Sequence, residues 1–330
     1  MSYSAPKTPS AQHPELPTAR PSERVQIFAL LTRTMYGSLR FSWLSYLGLA
    51  EQQHAAQLPT STAAVSYLST QALMRAMAAA RLDVPSSAAS EIEVDRSCAL
   101  CTSGKKHGKP RIAGVNFNMS QVNPLVVGAF SRNTSAVLGV DVETLDARLF
   151  SGFARLALSN EERAFYERVA QERPAPVLHL LSVALWTAKE AVLKATGHGL
   201  SVVPSLVRLQ LTDELLDALE LAMNEEVPGD LLDSDVPEPA ALRVLTQDRV
   251  ATQATFSAPQ GGNQGGKAIE RNFSLQWVPV ALPDAENPEH TQKMLIALAV
   301  ESPTEGEPAQ VEAQLLPVAT PLELKRLLTD

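Results

Sequence analysis

The chain has 330 residues, 36 acidic against 28 basic side chains, a formal charge of -8 and 45% apolar residues. The apolar fraction is ample for a sizeable core and excludes wholesale disorder, and at roughly 150 residues per domain the length suggests two domains or two similar halves. The acidic balance argues against a dedicated nucleic-acid binder, whose phosphate partners demand a basic surface, and two cysteines cannot staple a chain of this length into a disulfide scaffold.

Residues 1–23 are rich in Pro, Ser and Thr and read as a disordered arm, with Pro6, Pro9, Pro14, Pro17 and Pro21 breaking any helix. The stretch carries no apolar signal-peptide core, and no window holds about 18 uninterrupted apolar residues, so a cytoplasmic protein without a membrane span is expected. From Arg24 to Ala50 the chain turns apolar and aromatic, consistent with a buried strand and a turn into helix. Residues 61–82 read as a helix with Leu68, Ala72, Leu73, Ala76 and Met77 on one stripe. Short strands are predicted at EIEVD (91–95), NFNMS (116–120), PLVVGAFS (124–131) and AVLGVDVE (136–143), most of them bounded by turn-forming residues. A second helical block spans about Ser159 to Thr196, broken near Pro174 and Pro176. SLVRLQL, SLQWVPVAL and, as a last buried strand, KMLIALAV follow. Residues 213–266, acidic and then Gly-rich, read as an insertion with a long loop. Mixed strands and helices occurring twice suggest an α+β protein of two halves, 24–138 and 139–330.

Three constellations carry candidate chemistry. In Gly139-Val140-Asp141-Val142-Glu143 the strand period turns Val140 and Val142 to one face and Asp141 and Glu143 to the other. Two carboxylates on one face make a partial site for Mg²⁺, which completes its shell with substrate phosphate and water; a solvated strand face is the plainer account. Next, Trp186, Lys189, Glu190 and Lys194 fall on an arc of roughly 140° at about 100° per residue, opposite Ala184, Leu185, Ala188, Ala191, Val192 and Ala195, with Leu193 the exception and Gly197 a helix stop. An ordinary exposed face with an i,i+4 Glu–Lys pair explains the charged members but not Trp186 or Leu193. Third, Gly108-Lys109-Pro110 presents Lys109 from a turn, and Ser120 and Gln121 end a polar strand.

In this order and spacing, HGKPRI, NFNMSQ, GVDVE and WTAKEAVLKATGHGL resemble the 4'-phosphopantetheinyl transferase family, specifically its surfactin-type, two-halved class, and VDRSC through GKPRI is similar to actinobacterial members. The resemblance implies a pseudo-dimer of two similar α+β halves with the active site in the cleft between them. It implies transfer of the phosphopantetheine arm of coenzyme A to a serine of an apo acyl- or peptidyl-carrier protein, with release of adenosine 3',5'-bisphosphate. By the same resemblance Asp141, Glu143 and Glu190 would hold Mg²⁺, Glu190 would be the general base and Lys194 would lie near the transferred phosphate. Lys109, Ser120 and Lys189 would contact coenzyme A. The family's His after the strand serine is here Gln121, which donates a hydrogen bond but carries no charge. Of the basic residues expected in the first helical region, His54 and Arg75 stand as candidate coenzyme A contacts. A monomer is expected, with no nucleic-acid partner.

Two other motifs are weaker. Gly261 to Lys267 has the G-x-x-x-x-G-K part of a P-loop, but Ala268 lacks the hydroxyl that would bind Mg²⁺. Cys98, Cys101 and His107 offer three zinc ligands where a structural site takes four. A carrier-protein binder without catalysis, or a helical interaction protein, are the alternatives the sequence leaves open.

Overall fold

The structure, a computed structural model, describes residues 22–97, 108–225, 242–246, 248–258, 269–283, 291–303 and 310–329. The Cys98, Cys101 and His107 set and the Gly261–Lys267 stretch lie outside the described residues, as does nearly all of the N-terminal arm.

In chain order the elements are β1 (Ser22–Leu31), α1 (Arg40–Leu44), α2 (Leu49–Ala56), α3 (Ser61–Leu82), β2 (Asn116–Val122), β3 (Leu125–Ser131) and β4 (Leu138–Thr144). Then follow α4 (Phe153–Ala157), α5 (Asn160–Glu172), α6 (Ala175–Thr196), β5 (Val207–Leu209), α7 (Asp213–Asn224) and β6 (Arg243–Val244). Strands β7 (Val250–Ala258), β8 (Ile269–Pro283), β9 (Thr291–Ser302) and β10 (Gln310–Pro317) lead to α8 (Pro321–Thr329). The protein is a mixed, α+β structure. Three local readings are corrected. EIEVD is not a strand: Ser86–Glu91 forms a 3₁₀ turn, and only Asp95 bridges to Arg111. KMLIALAV lies in β9 but is not the last strand, since β10 follows. Within 213–266, β7 is an interior strand between β8 and β5.

The strands form two sheets, β10-β1-β3-β2 and β4-β9-β8-β7-β5, with β6 added beside β8. Side-chain alternation on the strands builds three cores. Phe28 and Leu30 of β1 with Phe117, Val126 and Phe130 pack on α3, α1 and α8. Val25, Ile27 and Ala29 of the same strand face Val140, Val280 and Ile296 of the other sheet. On the far face of the second sheet, Leu275, Trp277, Leu295 and Ala297 pack on α6, α5 and α7. The order of layers is therefore helix, sheet, sheet, helix. Residues 310–329, which the sequence assigns to the second half, join the first: β10 pairs parallel with β1, and α8 packs on α3.

Both helical layers press closely on their sheets. A Cβ on Gly139 would lie 2.0 Å from the Ala191 carbonyl oxygen, so α6 crosses β4 at backbone contact. Helix α6 is long and apolar enough to cross a membrane, but 72% of its most apolar window is buried in the protein. It starts behind Pro174 and stops at Gly197, whose φ of 78° is the left-handed conformation favoured by glycine.

Candidate active site

The two sheets meet at their edge strands. No ladder joins β2 to β4; side chains bridge them instead. Asn118 Oδ1 accepts the Val140 N–H at 2.9 Å, and two residues on, Ser120 Oγ donates to Asp141 Oδ1 at 2.8 Å. The period of two that turns Val140 and Val142 into the inter-sheet core turns Gly139, Asp141 and Glu143 towards α6. The acids of GVDVE therefore lie on a covered face rather than a solvated one.

Helix α6 brings the complementary charge. Lys194 Nζ donates to Asp141 Oδ1 at 2.6 Å and to Ser120 Oγ at 2.8 Å. A lysine, a serine and an aspartate from three elements thus form one hydrogen-bonded group, with Asp141 only 6% exposed. The i,i+4 pairing of Glu190 with Lys194 gives way to this tertiary contact. Burial, then the charge of Asp141, pushes the Glu190 carboxyl up to about 7, with Lys194 acting against them and Glu143 adding to the rise. Glu143 is raised for the same leading reason, burial, and next by Asp141.

The trio Asp141, Glu143 and Glu190 is within mutual electrostatic reach, but it is not drawn into a metal-binding cluster among the described residues. Lys194 holds Asp141 Oδ1 in an ion pair. What fits a divalent cation is the donor chemistry. The charge of Asp141 raises the proton affinity of both Glu143 and Glu190, and Glu190 Oε1 is buried without a hydrogen-bond partner. Hard oxygen donors of this kind suit Mg²⁺.

Lys109 ties the GKP turn to the same region, donating to the Leu138 carbonyl at 3.0 Å and the Ala195 carbonyl at 3.5 Å. Burial, with smaller contributions from Arg111 and Arg271, lowers its ammonium to about 8. Two cavities of about 400 and 410 Å³ share Gly108, Lys109, Pro110 and Gly197 in their walls. Arg111 and Thr134 line the first, and Lys194 and His198 the second.

Other expected residues are not brought here. Lys189 has no exposed surface and is held by Glu162 at 2.9 and 2.8 Å, since α5 and the 204–209 segment cover that side of α6. Arg75 is 8% exposed, bonded to Glu51 at 2.7 Å and to the carbonyls of Ala89 and Ile92. Its guanidinium is occupied in holding α2 and the 86–92 turn to α3. His54 packs against Tyr67 with ring centroids 4.8 Å apart and the ring planes tilted by 58°. Gln121 is exposed on the opposite face of β2 from Ser120, where it accepts from the Thr70 hydroxyl. Asn118, Arg111 and Glu162 were not singled out in the sequence. Only Glu162 has a local signal there, as the closing glutamate, at the third helical position, of a Ser-x-x-Glu capping box.

No curated protein matches the chain. The family model of the 4'-phosphopantetheinyl transferase superfamily matches residues 137–234, a stretch that begins just before β4, runs through α6 and holds Asp141, Glu143, Glu190 and Lys194. Over this stretch the chain is similar to the 4'-phosphopantetheinyl transferase superfamily.

Proposed function

We propose that the protein transfers the 4'-phosphopantetheine arm of coenzyme A to a serine of an apo acyl- or peptidyl-carrier protein, releasing adenosine 3',5'-bisphosphate. The observation that carries this reading is the junction of Lys194, Ser120 and Asp141 in direct contact, with Glu190 within electrostatic reach on the same helix. In this reading the chain is a surfactin-type enzyme of two similar halves with coenzyme A in the cleft between them, and it works as a cytoplasmic monomer.

The carrier serine oxygen bonds to the phosphorus that bears the pantetheine arm. The bond from that phosphorus to the bridging oxygen breaks, and the electron pair leaves on adenosine 3',5'-bisphosphate. Glu190 accepts the serine proton. Lys194 turns its ammonium from Asp141 to the departing phosphate, where charge grows most in the transition state. Ser120 keeps Asp141 hydrogen-bonded while Lys194 moves. Lys109, and Arg111 beside it, hold the anionic end of coenzyme A in the cavities they line. Asp141, Glu143 and Glu190 would hold a Mg²⁺ ion, which supplies charge neutralisation at the pyrophosphate.

The test is to mix the protein with coenzyme A, Mg²⁺ and a panel of apo carrier proteins and to record intact masses. A carrier that gains the mass of the phosphopantetheine arm only when protein and coenzyme A are both present supports transfer. No gain on any carrier would overturn it.

A further inference from the structure

Lys189 and Glu162 form a pair that the transfer chemistry does not use. Their side chains are 0% and 1% exposed, and every strong hydrogen-bonding site on the pair is occupied. The Lys189 ammonium donates to both Glu162 oxygens, to the Pro204 carbonyl at 3.4 Å and to the Val207 carbonyl. Glu162 also accepts from the Ser159 N–H at 2.7 Å and the Leu209 N–H at 2.9 Å. One carboxylate thus joins the start of α5, the middle of α6 and β5. The pair has no donor left to offer a ligand.

Its location gives it a second consequence. Lys189 precedes Glu190, and at about 100° per residue a small rotation of α6 swings Glu190 and Lys194 together. Gly139 sets how closely α6 approaches β4, and the directional bonds of Lys189 to Glu162 and the Val207 carbonyl constrain the rotation of the helix about its own axis. We propose that Glu162 is a positioning residue that, through Lys189, fixes the rotation of α6 and so aims Glu190 and Lys194 at Asp141. Its effect on catalysis rests on the transfer reading; its effect on geometry does not.

The experiment compares the single variants Glu162→Gln and Lys189→Met with the double variant Glu162→Gln/Lys189→Met in the full chain. Each single variant leaves a buried group unmatched and lowers the thermal midpoint, whereas the double variant removes both charges together and recovers most of it. The expected result is that kcat for carrier modification stays down by about a hundredfold in the double variant, with KM for coenzyme A changed by less than about twofold. The second measurement needs no activity: the shift in thermal midpoint caused by Lys194→Ala is measured in the parent and in the double variant. If the pair aims Lys194 at Asp141, that shift shrinks to less than about half. Equal shifts in both backgrounds, or a double variant with parental kcat, would overturn the proposal. So would Lys189→Met that raises KM for coenzyme A more than about tenfold at unchanged kcat, since Lys189 would then be a ligand contact. Should the double variant not fold, Glu162→Asp, which keeps the charge but shortens its reach, enters the same cycle. A parent protein that modifies no carrier removes the transfer reading, and the thermal cycle still decides the positioning.

Discussion

Lys194 sits between two roles that single substitutions separate. In the structure it neutralises Asp141; in the proposed reaction it meets the departing phosphate. Lys194→Ala should lower kcat by about 10²–10³-fold, the usual loss for a fixed transition-state donor, with a smaller rise in KM for coenzyme A. Lys194→Arg should recover only part, because the planar fork cannot occupy the point of an ammonium between Ser120 and Asp141. Steady-state kinetics would check both, and normal turnover by Lys194→Ala would reduce the contact to a structural ion pair. Lys109 gives the pH dependence. Its folded value, about 8, lies below the ordinary 10.5, and burial is the main cause. Its charge is therefore present below about 8 and lost above it. Coenzyme A affinity by calorimetry should fall above about pH 8, by at most about tenfold per unit, and the fall should be absent in Lys109→Arg. The stability effect has the opposite sign: between about 8 and 10.5 the unfolded chain binds more protons, so burying Lys109 costs less as pH rises.

At the scale of elements, the site depends on how α6 lies across β4. Gly139 permits that crossing, and an added Cβ would meet backbone atoms of Ala191 and Ala195 rather than a movable side chain. Gly139→Ala should destabilise the protein by at least the ~1–3 kcal/mol typical of overpacking, read as a lowered urea midpoint. It should also reduce transfer in the fraction that stays folded, because α6 must move away from Asp141. Gly128 on β3 makes the contrasting case. A Cβ there would meet the flexible end of Met77, at 2.6 Å, and a thioether can shift. Gly128→Ala should therefore cost less than Gly139→Ala and leave transfer near the parental level.

For the whole molecule, the C-terminal 20 described residues close the first sheet. Val311, Val318, Leu324 and Leu328 are all nearly inaccessible, and Trp43 of α1 donates its indole N–H to the Ala319 carbonyl at 2.8 Å. A chain ending at Pro303 would uncover the open edge of β1 and one face of α3. At ~1.5–3 kcal/mol for each buried aliphatic side chain, the loss approaches the whole ~5–15 kcal/mol by which domains are stable. The truncated protein should lack a cooperative thermal transition, although everything in the superfamily match at 137–234 is retained. A sharp transition near the parental midpoint would show the second sheet to be self-sufficient.

Local chemistry made much of this legible in advance. The 61–82 helix, the break near Pro174, the Gly197 stop and the placing of Asp141 and Glu143 on one face of their strand follow from side-chain period, proline and glycine, which act within a few residues. What a charged residue meets is decided by distant segments. Lys189 and Lys194 looked alike on one helical arc, yet α5 and the 204–209 segment cover the first, while β4 and β2 receive the second. Arg75 was drawn to Glu51, 24 residues away, by the same kind of packing. β10 could not be assigned to the first sheet from its own pattern, because an apolar strand reads the same beside any partner. The sequence by itself determined the elements and the set of reactive groups, because these depend on neighbours along the chain. Only the tertiary structure decided which cations are spent on burial and which face the acids, because desolvation and ion pairing act through space.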